Sequence, residues 1–355
     1  MENLEYLKKF WKNKRVFITG HTGFKGSWMS IMLNLLGAKI YGYALHPKKK
    51  SLFNEAKCKS FILKNFFSNI NNVKILEKKI NLAKPDVLFH LAAQPLVSES
   101  YINPLETLNT NIIGTSNVLN SIRKNTSLKS VVIVTTDKVY KIKKSNKSYN
   151  ENDSLGGKDP YSASKACAEI ITKSYIESFF FNSALKNKIS TARSGNVIGG
   201  GDYSKDRLLP DIIRSINSKK KLIIRNPNFV RPWQHVIEPL FGYLKLAEKQ
   251  YKKSNLHKEP CWNFGPNKNN FNKVIDVVKI ANKLSNLKIK VLKKQKFFET
   301  KILKLNNNKT KKNLKWHPKW NLRKSVNGVI EWNYQIKKNK SARQLCEEQI
   351  INYLN

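Results

Sequence analysis

The sequence predicts a doubly wound α/β fold on a parallel sheet, with a smaller domain in its C-terminal part. Three observations carry that expectation. Short apolar β runs alternate with longer amphipathic helical stretches through the first 195 residues. The first β run leads into three glycines spaced three apart, which open a helix. The residues able to do chemistry fall just beyond the carboxyl ends of the β runs, where open parallel sheets bind ligands.

The first strand is Arg15–Thr19 (RVFIT). Gly20, Gly23 and Gly26 follow it. Trp28, Ile31, Met32, Leu35 and Leu36 then fall on one face of a helix that Gly37 stops. A second strand, Ile40–Leu45, completes a βαβ unit. In such a unit the first glycine permits the tight turn, the second lets the backbone approach a pyrophosphate, and the third lets helix and strand pack closely. Unpaired N–H groups at the helix start face the phosphates. A glycine triplet alone is often a plain turn, but the strand before it and the helix after it are the context a dinucleotide site requires. Further strands are expected at Asp86–Leu91, Val131–Thr135 and Ile189–Arg193, with helices over about 104–124 and 160–181 between them. This is the Rossmann-type arrangement. Its strand ends carry Ala92-Ala93-Gln94, Thr135-Thr136-Asp137-Lys138 and Ser194-Gly195-Asn196.

Composition excludes several classes. Lys and Arg total 66 against 24 Asp and Glu, a formal charge of +42. Only nine of the basic residues are arginine, whereas nucleic-acid readers lean on arginine for bidentate contacts. The lysine clusters are short and scattered, with no aromatic ladder between them, so no nucleic-acid partner is expected. No run approaches the ~18 apolar residues that span a bilayer, and the N-terminal stretch lacks the apolar region of a secretory signal. Neither a membrane partner nor export is expected. Cys58, Cys167, Cys261 and Cys346 lie far apart without metal-ligand spacing. Free thiols in a cytoplasmic protein, and no metal, are the expectation.

Tyr161 and Lys165 stand four apart in Tyr-Ser-Ala-Ser-Lys, on one face of a helix. A phenol with a pKa near 10 is a poor base at neutral pH. A neighbouring ammonium favours the phenolate, so Lys165 is expected to lower the Tyr161 pKa and ready it for proton exchange with a hydroxyl. Lys165 can also hydrogen-bond a nicotinamide ribose.

The glycine turn, the Leu-Ala-Ala-Gln strand end and the Tyr/Lys pair resemble the extended short-chain dehydrogenase/reductase family over nearly the whole chain. Within it, the sequence is similar to the CDP-glucose 4,6-dehydratase family in eight segments, in the same order. They are TGHTGFKGSW (19–28), HLAAQPLV (90–97), TTDKVY (135–140), GGKDPYSASK (156–165), RSGNVIGGGDY (193–203), DRLLPD (206–211), VRPWQHVIEPL (230–240) and WNFGP (262–266). Sister families acting on dTDP-glucose or GDP-mannose carry Asp-Glu where this chain has Asp137-Lys138.

The resemblance implies a redox-neutral elimination on CDP-glucose with NAD as cofactor, in surface polysaccharide deoxysugar synthesis such as that of O-antigen lipopolysaccharide. Thr136, Asp137, Lys138, Tyr161 and Lys165 are its implied catalytic residues, with Asp137 as the acid at C6. Lys138 is either a C5 base or a stabiliser of the enolate. The implied cofactor residues are Gly20, Thr22, Gly23, Phe24, Lys25, Gly26, Asn69, Ile70, Leu91, Ala92, Ala93, Gln94, Thr135, Tyr161 and Lys165. Gln94, Asn196, Arg207, Arg231 and His235 are the implied substrate residues, whereas Trp233 and Trp262 are expected in the core. The implied domains are a cofactor domain at 12–195, with 226–258 returning to it, a nucleotide-sugar domain at 196–225 and 259–335, and a tail at 336–355. A homo-oligomer, dimer or tetramer, is implied as well. Two features depart from the pattern. Leu45-His46-Pro47-Lys48 offers no acid for the adenosine ribose, which weakens the preference for NAD over NADP. Asn69 stands where relatives commonly have Asp. A 4-epimerase on the same fold is the alternative, to which the Asp137-Lys138 pair is superfluous; a lysine-rich polyanion binder is the remote one.

Overall fold

The computed structural model describes residues 4–143, 147–252, 260–267, 271–292 and 298–355. Its centre is a seven-stranded parallel sheet. Six of its strands are β1 (Arg15–Thr19), β2 (Lys39–Ala44), β3 (Lys64–Phe67), β4 (Val87–His90), β5 (Ser130–Val134) and β6 (Ile189–Ser194). The spatial order is β3, β2, β1, β4, β5, β6, and then the strand Cys261–Phe264. The order reverses between β1 and β4, which opens a crevice beyond their carboxyl ends. Helices cover both faces, so the strands read as apolar runs rather than alternating ones. Within β1, Val16 and Ile18 enter one core with Trp28, Met29 and Met32, while Phe17 enters the other with Leu76, Ile80 and Val118.

A smaller third core sits over the strand ends. Ile212 of the helix Leu208–Ser218, Val277 and Val278 of the helix Val274–Asn282, and Val326 and Val329 of the helix Leu322–Lys337 meet there with Trp233. Short two-stranded ribbons, including Val230–Pro232 against Phe271–Lys273, brace it.

Three features differ from the expected plan. The strand Cys261–Phe264 falls inside the segment assigned to the smaller domain, yet it pairs with β6 in the main sheet; its four residues are buried, as an apolar strand in a covered sheet requires. The expected boundary at 258/259 lies outside the described residues. The 336–355 segment is no tail. Its helix Ala342–Leu354, capped by Ser341 accepting from the Gln344 N–H, buries Leu345, Cys346, Ile350 and Tyr353 in the core that holds Trp28. The edge strand β3 had no period-two pattern to announce it, because half-exposed positions flank a short run.

Candidate active site

A cleft of about 1360 Å³ runs along the carboxyl ends of the strands and under the smaller domain. Its floor begins at the glycine turn. Gly20 has φ +76°, and a Cβ there would lie 2.6 Å from the Ala92 nitrogen. A Cβ on Gly26 would lie 2.1 Å from the Gly20 oxygen. Only glycine permits these approaches, and they leave the start of the helix Phe24–Leu35 bare toward the cleft. That cradle fits a dinucleotide pyrophosphate. Thr22, Gly23, Phe24, Lys25, Asn69, Ile70, Leu91, Ala92, Ala93 and Thr135 line the same cleft. Lys25 donates to Ser194 Oγ at 2.8 Å, and burial, aided by Arg207 and Lys165, pushes its pKa down to about 7. At the end of β2, His46 stacks on Phe67 with ring centres 4.4 Å apart, and Lys48 lies alongside.

The reactive side chains gather at the end of β5 and the start of the helix Pro160–Tyr175. Asp159 fixes that start, accepting the Ser162 N–H at 2.9 Å and the Ser162 hydroxyl at 2.6 Å, with Pro160 in the first turn. Tyr161 therefore emerges from the first turn, within hydrogen-bond reach of Thr136. Thr136 donates to Asp137 Oδ1 at 3.1 Å, while Asp137 Oδ2 is buried without a partner among the described residues. Burial raises the Asp137 pKa against the pull of Lys138 and Arg231. Burial and Arg231 lower that of Lys138, against Glu299, Asp137 and Asp159. The expected lowering of Tyr161 is not found. Lys165 donates to the Val134 carbonyl at 3.1 Å, and burial outweighs the favourable pull of Thr136 and Arg207, lifting Tyr161 to about 12. Burial also lowers Lys165 to about 8.

Asn196, Arg207 and Arg231 line the cleft. Arg207 pairs with Asp202 at 3.2 Å and Arg231 with Glu299 at 3.2 Å. Two expected substrate residues are placed elsewhere. The Gln94 amide is spent on its own loop, donating to Thr107 Oγ1 and the Leu96 carbonyl and accepting from the Leu96 N–H. His235 is sealed between Trp28 and Trp320, with ring centres at 5.6 and 4.8 Å, and burial holds its pKa near 3. Both residues of its short strand, Gln234–His235, are buried. Trp262 is in the core as expected, but Trp233 also reaches the cleft wall. Sequence reasoning passed over Glu299, which stands outside every motif, and over Glu169 and Arg193. Glu169 had a signal: it lies four residues beyond Lys165, on the same helix face.

A dinucleotide cradle beside a Thr-Asp-Lys strand end and a Tyr/Lys helix makes this an extended short-chain dehydrogenase/reductase, the NAD-dependent class to which nucleotide-sugar dehydratases and epimerases belong. Residues 17–329 match the model of the GDP-mannose 4,6 dehydratase family, and the chain belongs to that family. A CDP-glucose 4,6-dehydratase of Salmonella typhimurium is 38% identical over 98% of both chains. A dTDP-D-glucose 4,6-dehydratase of Dictyostelium discoideum is 31% identical over 59% of this chain and 50% of its own. Among solved structures, the dTDP-glucose 4,6-dehydratase of Bacillus anthracis in complex with NAD superposes with a TM-score of 0.76. It shares 23% identity and covers 94% of this chain and 99% of its own.

Proposed function

We propose that this protein is a nucleotide-sugar 4,6-dehydratase that converts CDP-D-glucose to CDP-4-keto-6-deoxy-D-glucose and water. The observation that carries the reading is the convergence of Asp137, Lys138 and Tyr161 on one cleft beside a dinucleotide cradle. An epimerase needs the tyrosine but no acid for C6. Similarity to the Salmonella CDP-glucose enzyme over nearly the full length supports the choice of nucleotide.

The glycine turn and the bare start of the helix Phe24–Leu35 would hold NAD, which would supply a reversible hydride acceptor for C4 and C6. Tyr161, as phenolate, takes the C4 hydroxyl proton, and Thr136 holds the C4 oxygen. Thr136 and Arg207 oppose the burial that lifts Tyr161. Lys165 holds the ribose and steadies the phenolate. With C4 a ketone, the C5 proton is acidic. Lys138, whose burial favours the neutral amine, accepts it and gives it back to C5 when hydride reaches C6. Asp137, whose burial favours the protonated carboxyl, gives its proton to the C6 hydroxyl, which leaves as water. Arg207 and Arg231 hold the diphosphate by charge-assisted hydrogen bonds, Arg231 exchanging Glu299 for phosphate.

The enzyme acts in the cytoplasm as a homo-oligomer, a dimer or tetramer, without a nucleic-acid or membrane partner. Exposed Leu105, Ile113, Ile170 and Phe179 on the helices over 104–121 and 160–180 support a second copy docking there. Incubation with CDP-, dTDP-, GDP- and UDP-glucose and GDP-mannose tests the reading. CDP-glucose should yield a 4-keto-6-deoxy product with no net NAD consumption. Stoichiometric NADH formation, or preference for another nucleotide, overturns it.

A further inference from the structure

Beneath the reactive cluster lies a buried polar network that the reaction scheme does not use. Glu169 sits one turn beyond Lys165 on the same helix, and its carboxylate is only 5% exposed. Oε1 accepts from Thr135 Oγ1 at 2.5 Å and from Arg193 Nε at 2.8 Å. Oε2 accepts from Thr191 Oγ1 at 3.1 Å and from Arg193 Nη2 at 2.5 Å. All four donors come from β6 and from the residue that follows β5. Arg193 also donates to Tyr140 Oη at 2.8 Å, and Tyr140 donates in turn to Asn263 Oδ1 at 2.6 Å on the neighbouring strand. One carboxylate thus ties the helix that bears Tyr161 and Lys165 to the strand ends that bear Thr135, Thr136 and Asp137.

On its own helix Lys165 faces Glu169, from β4 it faces His90, and from the helix after the glycine turn it faces Lys25. His90 is held neutral, its pKa pushed down to about 3 by burial. Lys25 opposes a second cation. Glu169 is the only one of the three that favours the ammonium. It in turn faces Arg193, Tyr140 and Cys261.

We propose that Glu169 is a positioning residue for the oxidation half of the reaction. It locks the Tyr161/Lys165 helix in register with the ends of β5 and β6, and supplies the negative charge that keeps Lys165 an ammonium beside the cofactor ribose. The proposal rests on the dehydratase reading only for its kinetic arm. Arg193 limits the cost of burying the carboxylate, and its bidentate grip fixes where the charge lies.

Two variants test it. Glu169→Gln removes the charge and leaves Arg193 unpaired, which endangers folding. Glu169→Met with Arg193→Met replaces the whole ion pair by apolar side chains of similar volume, a change buried pairs often tolerate. Loss of a neighbouring opposite charge lowers a lysine pKa. Labelling of Lys165 by acetic anhydride across pH, read by peptide mass spectrometry, should therefore show a lower midpoint in Glu169→Gln, and a smaller drop in the double variant, where the Arg193 cation leaves with the carboxylate. That arm needs no substrate, so its outcome stands apart from the identity of the sugar nucleotide. The alkaline limb of kcat should fall by the same interval with KM little changed, and Glu169→Asp should restore both midpoints. A merely structural Glu169 lowers kcat without moving either midpoint. Wild-type midpoints in the folded double variant overturn the proposal.

Discussion

Replacing Asp137 by Asn separates oxidation from elimination. Asp137 is 2% exposed, and burial raises its pKa, which favours the protonated form that the proposed acid role needs. Oδ1 accepts from Thr136 at 3.1 Å, a bond the Asn carbonyl reproduces. Oδ2 has no partner among the described residues, so an amide nitrogen there displaces nothing. The substitution thus keeps shape and hydrogen bonding and removes only the transferable proton. A positioned general acid contributes about 10²–10⁴-fold, or roughly 3–5 kcal/mol of barrier at 1.36 kcal/mol per decade. Turnover should fall by that factor, while the first half-reaction proceeds. In a single turnover with CDP-glucose, reduced cofactor should accumulate by absorbance, little 4-keto-6-deoxy sugar should form, and C5 hydrogen should still exchange with deuterated solvent. Lys138→Met should share the stall but lose the exchange. If folded, substrate-saturated Asp137→Asn fails to reduce the cofactor at all, Asp137 serves the oxidation step and the acid assignment is wrong.

Three further outcomes follow from the geometry. Tyr161→Phe should lower turnover by about 10²–10⁴-fold while leaving NAD binding intact by fluorescence titration; wild-type turnover removes the phenol from the mechanism. Gly26→Ala forces a methyl to 2.1 Å from the Gly20 oxygen, overpacking of about 1–3 kcal/mol, so both the melting temperature and NAD affinity should drop. Unchanged NAD affinity would show that the turn does not form the cofactor floor. Glu238 is buried with its pKa raised from 4.5 to about 7. A raised carboxyl pKa stabilises the fold below about pH 4.5, and that stability is lost as pH climbs through 7, on the order of 3 kcal/mol in all. Urea denaturation from pH 5 to 8 should show wild type losing that amount relative to Glu238→Gln; parallel profiles refute it.

The cofactor half was legible because its signals are local. The glycine spacing, the apolar β runs and the Tyr161/Lys165 pair each declare a geometry within one turn or one strand. Asp137 and Thr136 were legible through their place at a strand end. What escaped depends on contacts distant in sequence. Glu299 reaches Arg231 across 68 residues. His235 stands among the implied substrate residues, but Trp28 and Trp320 close on it. The Tyr161 pKa was misjudged because spacing along a helix shows proximity to Lys165 and says nothing of desolvation, which outweighs every neighbouring charge here. Strand Cys261–Phe264 reads as a buried β run, but only its pairing with β6 assigns it to the main sheet.

The helix Ala342–Leu354 shares one core with Trp28 and Met29, beneath the glycine turn. The cofactor floor is therefore not a module that can be cut out. A fragment ending near residue 200 carries every glycine of the cradle yet leaves Trp28 and its neighbours facing water. Closing that core joins segments from opposite ends of the sequence, a high contact order that slows folding. During synthesis, the emerging N-terminal half must wait with this apolar surface uncovered until the distal helix arrives, a window in which chaperones would be engaged.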